Sequence, residues 1–318
     1  MWYKYMMEEF IGIDIGGTKI LGVRINEDME ILSKEKISSY NKNTLDNLLS
    51  NILLLIEHLK TDKVKKVGLG IAGFVDHKKG FIYSSPNIPA LINVNIKKIL
   101  QDKTPYEIFV DNDAKSGAVA ERFIGKGKDT EDFVFITFGT GIGAAIISNG
   151  KLVRGHNNLA GEVGHITLDP SGPLCGCGKY GCFEAFASGE AIKRYYLNHI
   201  KAYKNLPILD LVGANVSLID TPLIFSYFER DALAKETLIT AAHYIGLGLS
   251  FVVNLLNPEK IILSGGVSAS LNKIWDYIID EFNKNTLPIE KRNVEFIFSD
   301  IGENGVAVGS ALMTFKDI

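Results

Sequence analysis

Residues 10–20 have the sequence FIGIDIGGTKI, in which isoleucines alternate with smaller or polar residues up to a glycine pair. This alternation predicts a half-buried β-strand that ends at Ile15. The segment 16–19 predicts a turn, because glycine adopts backbone conformations that other residues disfavour. Residues 20–25 are again apolar and predict a return strand, so the stretch is expected to form a β-hairpin with a glycine-rich turn.

A similar pattern recurs in mid-chain, where residues 133–148 have the sequence FVFITFGTGIGAAIIS. Aligning Asp14 with Thr137 places Gly16 on Gly139, and both copies run from strand through glycine turn to strand. The repeat indicates two similar halves, each with a glycine-rich hairpin turn, and a nucleotide between two such turns would be held from both sides. Two unrelated hairpins with glycine turns account for the pattern equally well.

The rest of the chain alternates short apolar strands with segments of helical periodicity, which predicts the α/β class. The expected further strands are 67–71, 107–110, 133–137, 144–148, 260–263 and 294–298, and the expected helices are 43–59, 114–123, 189–203, 231–256, 274–284 and 305–315. The glycine- and cysteine-rich segment 161–189 shows little regular pattern.

Composition excludes several classes of protein. The 318 residues are 46% hydrophobic, enough for a sizeable core, and the formal net charge of -3 offers no electrostatic footprint for nucleic acid. Consecutive apolar residues do not approach the roughly 18 that suggest a membrane span. The N-terminus lacks the pattern of a secretion signal, so the expected compartment is the cytoplasm and no membrane partner is expected.

Glycine-rich turns suit phosphates because the backbone can approach the anion and its N–H groups can point at it. Thr18 and Thr140 add hydroxyl donors to the two turns, although neither turn matches the P-loop pattern. Asp14, at the end of an apolar strand, either binds the hydrated Mg²⁺ of a nucleotide or caps the turn. Residues 68–73 match the dinucleotide pattern GxGxxG, but the next residues predict a turn between extended segments, so we reject that motif.

Asp111-Asn112-Asp113 lies where a predicted strand meets a predicted helix. A general base must sit where a substrate hydroxyl can reach it, and the carboxyl end of a strand in an α/β sheet is such a place. Asn and Asp are also preferred helix N-caps. Taken alone, the tripeptide favours capping.

The most specific signal is His165 followed by Cys175, Cys177 and Cys182, which together offer one imidazole and three thiolates. This donor set is typical of a tetrahedral zinc site, and four protein ligands close the shell, so the metal would be structural. A redox pair is disfavoured by the single residue between the first two cysteines, and thiols without a role are disfavoured by their close spacing among glycines. Glu162 and Glu184 flank the cluster and either accept hydrogen bonds from sugar hydroxyls or are ordinary surface charge.

Taken together, these motifs resemble the ROK family of sugar kinases and sugar-responsive repressors, in order and over nearly the whole chain. The resemblance implies an actin-like (ribonuclease-H-like) α/β fold with two domains around a cleft. The small domain would comprise residues 1–121 with the C-terminal helix 302–318, and the large domain residues 122–301 with the zinc loop.

The resemblance also implies roles for individual residues. Asp113 falls on the catalytic base. The implied sugar-binding residues are Gly73, Asn87, Asn112, Asp113, Glu162, His165 and Glu184. The implied ATP-binding residues are Asp14, Gly16, Gly17, Thr18, Lys19, Gly139, Thr140, Gly141, Gly265 and Gly266. The implied zinc ligands are His165, Cys175, Cys177 and Cys182.

The implied activity is ATP- and Mg²⁺-dependent phosphorylation of a hexose at C6, with glucose as first choice, by a homo-oligomer (dimer or tetramer). N-acetylmannosamine or another hexose is the alternative substrate, and a non-catalytic sugar-sensing regulator is the alternative function. A nicotinamide-dependent dehydrogenase is weakened by the rejected motif. The sequence departs from the family pattern at two positions. Ala72 stands where the family often has proline, and Lys115 stands where it often has asparagine. The positive charge of Lys115 is expected to lower the pKa of Asp113.

Overall fold

The computed structural model describes residues 7–38, 41, 43–213, 215–288 and 293–318. The chain divides into two compact units. The first unit comprises the residues up to Phe135 together with Ala145–Gly161 and Ser299–Ile318, and the second comprises Ile136–Ala144 and Glu162–Phe298. The domain bounds implied by the family resemblance stay a prediction.

The strands of the described residues are β1 (Glu9–Ile15), β2 (Ile20–Asn26), β3 (Ile31–Ile37), β4 (Val64–Ile71), β5 (Phe74–Asp76), β6 (Phe81–Ser84), β7 (Val94–Asn95), β8 (Glu107–Asn112), β9 (Phe133–Phe138), β10 (Ile142–Ser148), β11 (Lys151–Leu152), β12 (Lys260–Ser264) and β13 (Glu295–Phe298). The α-helices are α1 (Leu45–Leu59), α2 (Ile96–Lys103), α3 (Asp113–Ile124), α4 (Phe183–Ala187), α5 (Gly189–His199), α6 (Pro207–Val212), α7 (Thr221–Ser226), α8 (Ala232–Leu256), α9 (Trp275–Asn285) and α10 (Gly305–Leu312).

Two five-stranded sheets share one strand order. The first runs β3-β2-β1-β4-β8 and the second β11-β10-β9-β12-β13, so each has three sequential strands followed by two that arrive through crossovers. Strand β1 pairs antiparallel with β2 and parallel with β4, and β12 pairs parallel with β13. The α/β class and the internal repeat are therefore confirmed. The two turns differ in length, because the first comprises residues 16–19 and the second residues 139–141.

The alternation in β1 divides its two faces between different helices. Ile11, Ile13 and Ile15 are fully buried in a core cluster with the apolar face of α1. On the other face, a Cβ at Gly12 would lie 1.9 Å from the Ala307 carbonyl oxygen of α10. Glycine at position 12 therefore lets the C-terminal helix pack directly on the backbone of the sheet.

Helix α8 is long and apolar enough to cross a membrane by length and composition, but 56% of its most apolar window is buried within the structure. A Cβ at Gly246 would lie 2.5 Å from the Ile278 carbonyl oxygen of α9, and one at Gly248 would lie 2.7 Å from the Phe183 ring. Helix α8 therefore packs closely against α9 and against Phe183.

The segment 161–189 is largely irregular and contains a 3₁₀ turn, Val163–His165, and helix α4, both too short to show periodicity. Two other elements differ from the expectations drawn from the sequence. Helix α5 ends at His199, short of the expected residue 203. Strand β3 was missed because it is largely exposed and charged. After Gly73, strands β5 and β6 pair antiparallel, which confirms the rejection of the dinucleotide motif.

Candidate functional site

The first glycine turn, residues 16–19, closes with a hydrogen bond from the Gly16 amide to the Lys19 carbonyl at 3.0 Å. Thr18 is exposed at its tip. A Cβ at Gly17 would lie 3.1 Å from the Asn87 carbonyl oxygen. The turn predicted to bind phosphate therefore packs against Asn87, which was predicted to bind sugar.

Asp14, near the end of β1, and Asp113, at the start of α3, are acidic groups of the first unit with raised pKa values. Burial, with the negative charge of Asp113 as the next cause, raises the pKa of Asp14 to about 7, and the charge of Lys19 opposes this. Burial also raises the pKa of Asp113, while backbone hydrogen bonds and then the Lys115 charge lower it. Lys115 thus acts in the expected direction, but burial outweighs it. Two desolvated carboxylates that influence one another favour a proton or a cation beside them.

Asn112, rather than Asp113, caps helix α3. Its Oδ1 accepts a hydrogen bond from the Lys115 amide at 3.2 Å, and its Nδ2 donates to the Gly73 carbonyl at 3.2 Å. Gly73 has a φ of 149°, and a Cβ there would lie 2.3 Å from the Ser84 carbonyl oxygen. The structure therefore brings Gly73, Asn112 and Asp113 together and assigns the capping role to the residue before the predicted base.

Sequence reasoning missed the partner of Lys19. The Lys19 Nζ lies 3.1 Å from Glu303 Oε2, and the Lys36 Nζ lies 2.8 Å from the same oxygen. Hydrogen bonds from Lys36 and Lys19 lower the pKa of Glu303 to about 2. Glu303 is 284 residues from Lys19 along the chain, so no local pattern pointed to it.

The second glycine turn has open space beside its first residue. The Gly139 amide donates to the Gly141 carbonyl at 2.9 Å, and the Gly139 carbonyl accepts from the Gly189 amide at 2.8 Å. A Cβ at Gly139 would meet no atom of the described residues within 4 Å. Thr140 is exposed. This turn can therefore accommodate a ligand close to its backbone.

Gly265 and Gly266 lie beside the same turn. The Val267 amide donates to the Phe138 carbonyl at 2.9 Å, and Gly265, with a φ of 92°, would place a Cβ 2.3 Å from that oxygen. Within the part of the chain that the structure describes, a Cβ at Gly266 would meet nothing within 4 Å. Two segments that were predicted to contact ATP are therefore adjacent within the second unit.

The cysteine cluster has the spacing of a tetrahedral metal site. Ligand atoms of His165, Cys175, Cys177 and Cys182 all lie within 4.8 Å of one another. The Sγ atoms of Cys177 and Cys182 are 3.7 Å apart, and Cys175 Sγ is 3.6 Å from His165 Nδ1. A zinc ion with Zn–S of about 2.3 Å and Zn–N of about 2.0 Å separates two sulfurs by about 3.8 Å and a sulfur from a nitrogen by about 3.5 Å. The four side chains therefore fit zinc.

The two predicted sugar-binding glutamates both lie next to this cluster. The Glu162 carbonyl accepts from the His165 amide at 3.1 Å and so opens the 3₁₀ turn that carries the histidine. Glu184, in the first turn of α4, accepts a hydrogen bond from the Ile142 amide at 2.8 Å. A Cβ at Gly141 would lie 2.3 Å from Glu184 Oε2, so a larger residue there would displace this carboxylate.

The predicted site residues thus form two sets, one in each unit. The first unit carries Asp14, Gly16, Gly17, Thr18, Lys19, Gly73, Asn87, Asn112 and Asp113, and the second carries Gly139, Thr140, Gly141, Glu162, His165, Cys175, Cys177, Cys182, Glu184, Gly265 and Gly266. Their roles stay predictions.

Two sheets of one strand order, each with a glycine turn between its first two strands, define an actin-like α/β fold. The ROK family model matches residues 10–317. This chain therefore belongs to the ROK family.

Individual relatives include both enzymes and regulators. A glucokinase of Halalkalibacterium halodurans is 32% identical over 94% of this chain and 93% of its own length. The crystal structure of a ROK glucokinase from Streptomyces griseus, in complex with glucose and AMPPNP, is 32% identical with a TM-score of 0.82, covering 96% of this chain and 98% of that one. A xylose repressor of Bacillus spizizenii is 28% identical, covering 96% of this chain and 77% of the repressor.

Proposed function

We propose that this protein is a hexose kinase that transfers the terminal phosphate of ATP to the C6 hydroxyl of glucose, its preferred substrate, and that it carries one structural zinc ion. The observation that carries the proposal is the division of roles at the start of α3. Asn112 caps the helix, which leaves Asp113 a half-buried carboxylate of raised pKa at the carboxyl end of a strand. The similarity to glucokinases supports the same activity.

Asp113 is the general base in this proposal. Its carboxylate accepts the proton of the C6 hydroxyl as that oxygen attacks the terminal phosphorus of ATP. A raised pKa suits this role, because a base whose pKa lies closer to the working pH accepts a proton more effectively. Most of the remaining catalysis of phosphoryl transfer comes from positioning and from neutralising charge on the phosphates.

The two glycine turns would hold the ATP phosphates through their backbone N–H groups. The open space beside Gly139 and Gly266 supports close approach of the nucleotide to the backbone. Asp14 would hold the hydrated Mg²⁺ that accompanies ATP, an ion that binds through one or two carboxylates while keeping several waters. Bound there, Mg²⁺ would supply positive charge to the phosphates. Lys19 would exchange Glu303 for a phosphate oxygen.

Sugar hydroxyls would be bound by polar side chains and by the backbone at Gly73. We assign these contacts to Gly73, Asn87, Asn112, Asp113, Glu162, His165 and Glu184. The Nδ1 of His165 faces Cys175 at 3.6 Å. With Nδ1 on the metal, Nε2 would carry the proton and donate to a sugar hydroxyl. Acceptors arranged in this way reject sugars that lack the matching hydroxyl, because a buried acceptor is left unpaired.

The family resemblance further supports two proposals. The first is that the protein is a homo-oligomer. The second is that residues 1–121 with 302–318 form a small domain and residues 122–301 a large domain.

A coupled assay of ADP release across a panel of hexoses tests the activity. Glucose should give the highest kcat/KM, and the product should be glucose 6-phosphate, detected with its specific dehydrogenase. The analogue 6-deoxyglucose should compete with glucose but accept no phosphate. A higher kcat/KM for N-acetylmannosamine would overturn the choice of glucose and leave the kinase proposal standing.

A sugar-responsive regulator is the second candidate, favoured by the similarity to a xylose repressor over 96% of this chain. It predicts that a sugar binds with measurable heat in calorimetry while ATP and Mg²⁺ produce no ADP with any hexose. That pair of results would reject the kinase proposal.

A further inference from the structure

A polar network of Asp111, Arg154 and Asn158 lies in the first unit and has no assigned role in the proposed activity. Asp111 is 4% exposed and Asn158 3% exposed. The Arg154 guanidinium forms an ion pair with Asp111 Oδ2. Asn158 Nδ2 donates to Asp111 Oδ1 at 3.0 Å, and Arg154 Nη1 donates to Asn158 Oδ1 at 3.0 Å. The three side chains therefore form a closed set of contacts.

The network joins segments that are distant in the sequence. Asn158 Nδ2 also donates to the Val75 carbonyl of β5 at 2.9 Å. Asn158 has a φ of 66°, a conformation that asparagine tolerates, so the loop of residues 153–160 can direct this side chain to β5 and β8. The loop, the strand after Gly73 and the end of β8 are thereby held to one another.

From Asp111 the contacts continue to the proposed base. Asp111 Oδ1 accepts a hydrogen bond from the Asn112 amide at 2.8 Å. Asn112 in turn caps the helix that begins at Asp113 and donates to the Gly73 carbonyl. A shift of Asp111 would therefore move Asn112 and the first turn of α3, where the base lies.

A partly buried ion pair such as Arg154–Asp111 is weak evidence for stability, because desolvation of the charges offsets their attraction and apolar residues of similar size often stabilise as well. Its geometric effect is more specific, because a guanidinium and a carboxylate meet in few orientations. The location of the network, next to three residues of the proposed sugar site, points to that geometric effect.

We propose that Asp111, Arg154 and Asn158 are positioning residues that hold Asn112 and Asp113 in place relative to Gly73 for phosphoryl transfer to the sugar. This inference rests on the proposed kinase function. The contacts described above link the network to neither glycine turn. Disruption of the network should therefore raise the KM for glucose more than the KM for ATP.

The test compares steady-state kinetics for glucose and for ATP, together with the melting temperature, in the full-length protein. Arg154→Met should raise the KM for glucose and lower kcat so that kcat/KM falls about tenfold or more, because small misplacements of reacting groups have large effects on rate. The KM for ATP should change less than about twofold, since this substitution removes no proposed nucleotide contact. Arg154→Lys retains the charge but not the guanidinium geometry and should recover only part of the loss.

The double variant Asp111→Leu with Arg154→Met separates positioning from stability. It removes both charges of the buried pair together, so its melting temperature should exceed that of Arg154→Met. Its kcat/KM for glucose should stay low, because the Asn112 amide has lost its acceptor. If the network were merely structural, activity would recover together with the melting temperature.

Arg24→Met is the matched control. Arg24 pairs with Glu9, a buried residue at the start of β1, whereas Asp14 lies near the end of that strand. This variant should lower the melting temperature and leave the KM for glucose unchanged.

The inference is overturned if Arg154→Met has wild-type kinetics for glucose. It is also overturned if the KM for ATP rises as much as the KM for glucose. A wild-type protein that releases no ADP with any hexose overturns the proposed function and the inference with it. An active wild type with unaffected network variants overturns the inference alone.

Discussion

The Glu184 carboxylate accepts a hydrogen bond from the Ile142 amide at 2.8 Å, and this bond joins helix α4 to the first residue of β10, directly after the second glycine turn. The other carboxylate oxygen lies 3.7 Å from the Cys175 Sγ. One side chain therefore contacts both the turn proposed for phosphate and the cluster proposed for zinc. Removal of its charge should consequently affect more than sugar binding.

Glu184→Gln should raise the KM for glucose and also the KM for ATP, because the charged acceptor of the Ile142 amide is lost. Glutamine keeps a neutral acceptor oxygen, so the loss is the difference between a charged and a neutral hydrogen bond, about 1 kcal/mol, which corresponds to roughly fivefold. Glu162→Gln is the matched comparison and should affect glucose alone. Steady-state kinetics with each substrate varied in turn will measure the KM for glucose and the KM for ATP in both variants. An unchanged KM for ATP in Glu184→Gln would show that the contact has no functional role.

Purified protein should contain about one zinc ion per chain, measured by elemental analysis. Chelation should expose the segment 166–182 to proteolysis and lower activity with it, because the proposed ion would join His165 to all three cysteines of this segment. Cys175→Ser should reduce the zinc content in the same way. A metal-free preparation with an intact loop and full activity would contradict the structural role.

Asp113→Asn should lower kcat by roughly 10²-fold or more while glucose and ATP still bind, since it removes the base and keeps the shape. The raised pKa of Asp113 means that the folded state binds a proton more tightly than the unfolded chain. Stability is therefore lost as the pH rises from 3.8, the ordinary value, through the raised pKa. At neutral pH the variant should melt at the wild-type temperature or above. Near-normal turnover would reject Asp113 as the base.

The pH dependence of kcat/KM for glucose should decline on the acidic side at a pH above 3.8, the ordinary pKa of an aspartate. Only the ionised carboxylate accepts the hydroxyl proton, and burial raises the pKa at which it forms. Asp14 and Asp113 influence one another, so the apparent value belongs to the pair. The residual rate of Asp113→Asn should follow a different profile, and an identical profile would mean that another group controls the acidic limb.

Gly139→Val should raise the KM for ATP and leave the melting temperature and the KM for glucose nearly unchanged. Its Cβ would enter space that no atom of the described residues occupies within 4 Å, which is where the nucleotide is proposed to lie. Thr140→Val should act in the same direction by removing a hydroxyl donor. Equal loss of both substrates would indicate misfolding instead.

Gly17→Val serves as the contrasting variant. A Cβ there would lie 3.1 Å from the Asn87 carbonyl oxygen and 3.2 Å from its Cβ. It should therefore weaken ATP binding and disturb glucose binding as well. A normal KM for glucose would show that Asn87 can move without loss.

The sequence by itself determined the features that depend on neighbouring residues. The alternation Ile11, Ile13, Ile15 before a glycine pair predicted a hairpin, and the recurrence of the pattern in mid-chain indicated two similar halves. The donor set of the cysteine cluster was equally local, because residue type and short spacing determine which metal the side chains can surround.

Only the tertiary structure decided how those pieces meet. Asn112 caps α3 because the Lys115 amide and the Gly73 carbonyl lie within its reach, and Asp111 meets Arg154 and Asn158 from 43 and 47 residues away. Hydrophobic periodicity follows from the geometry of a single element and can be recognised along the chain. Hydrogen bonds and ion pairs between distant segments depend on the packing of several elements at once, so no local pattern specifies their partners.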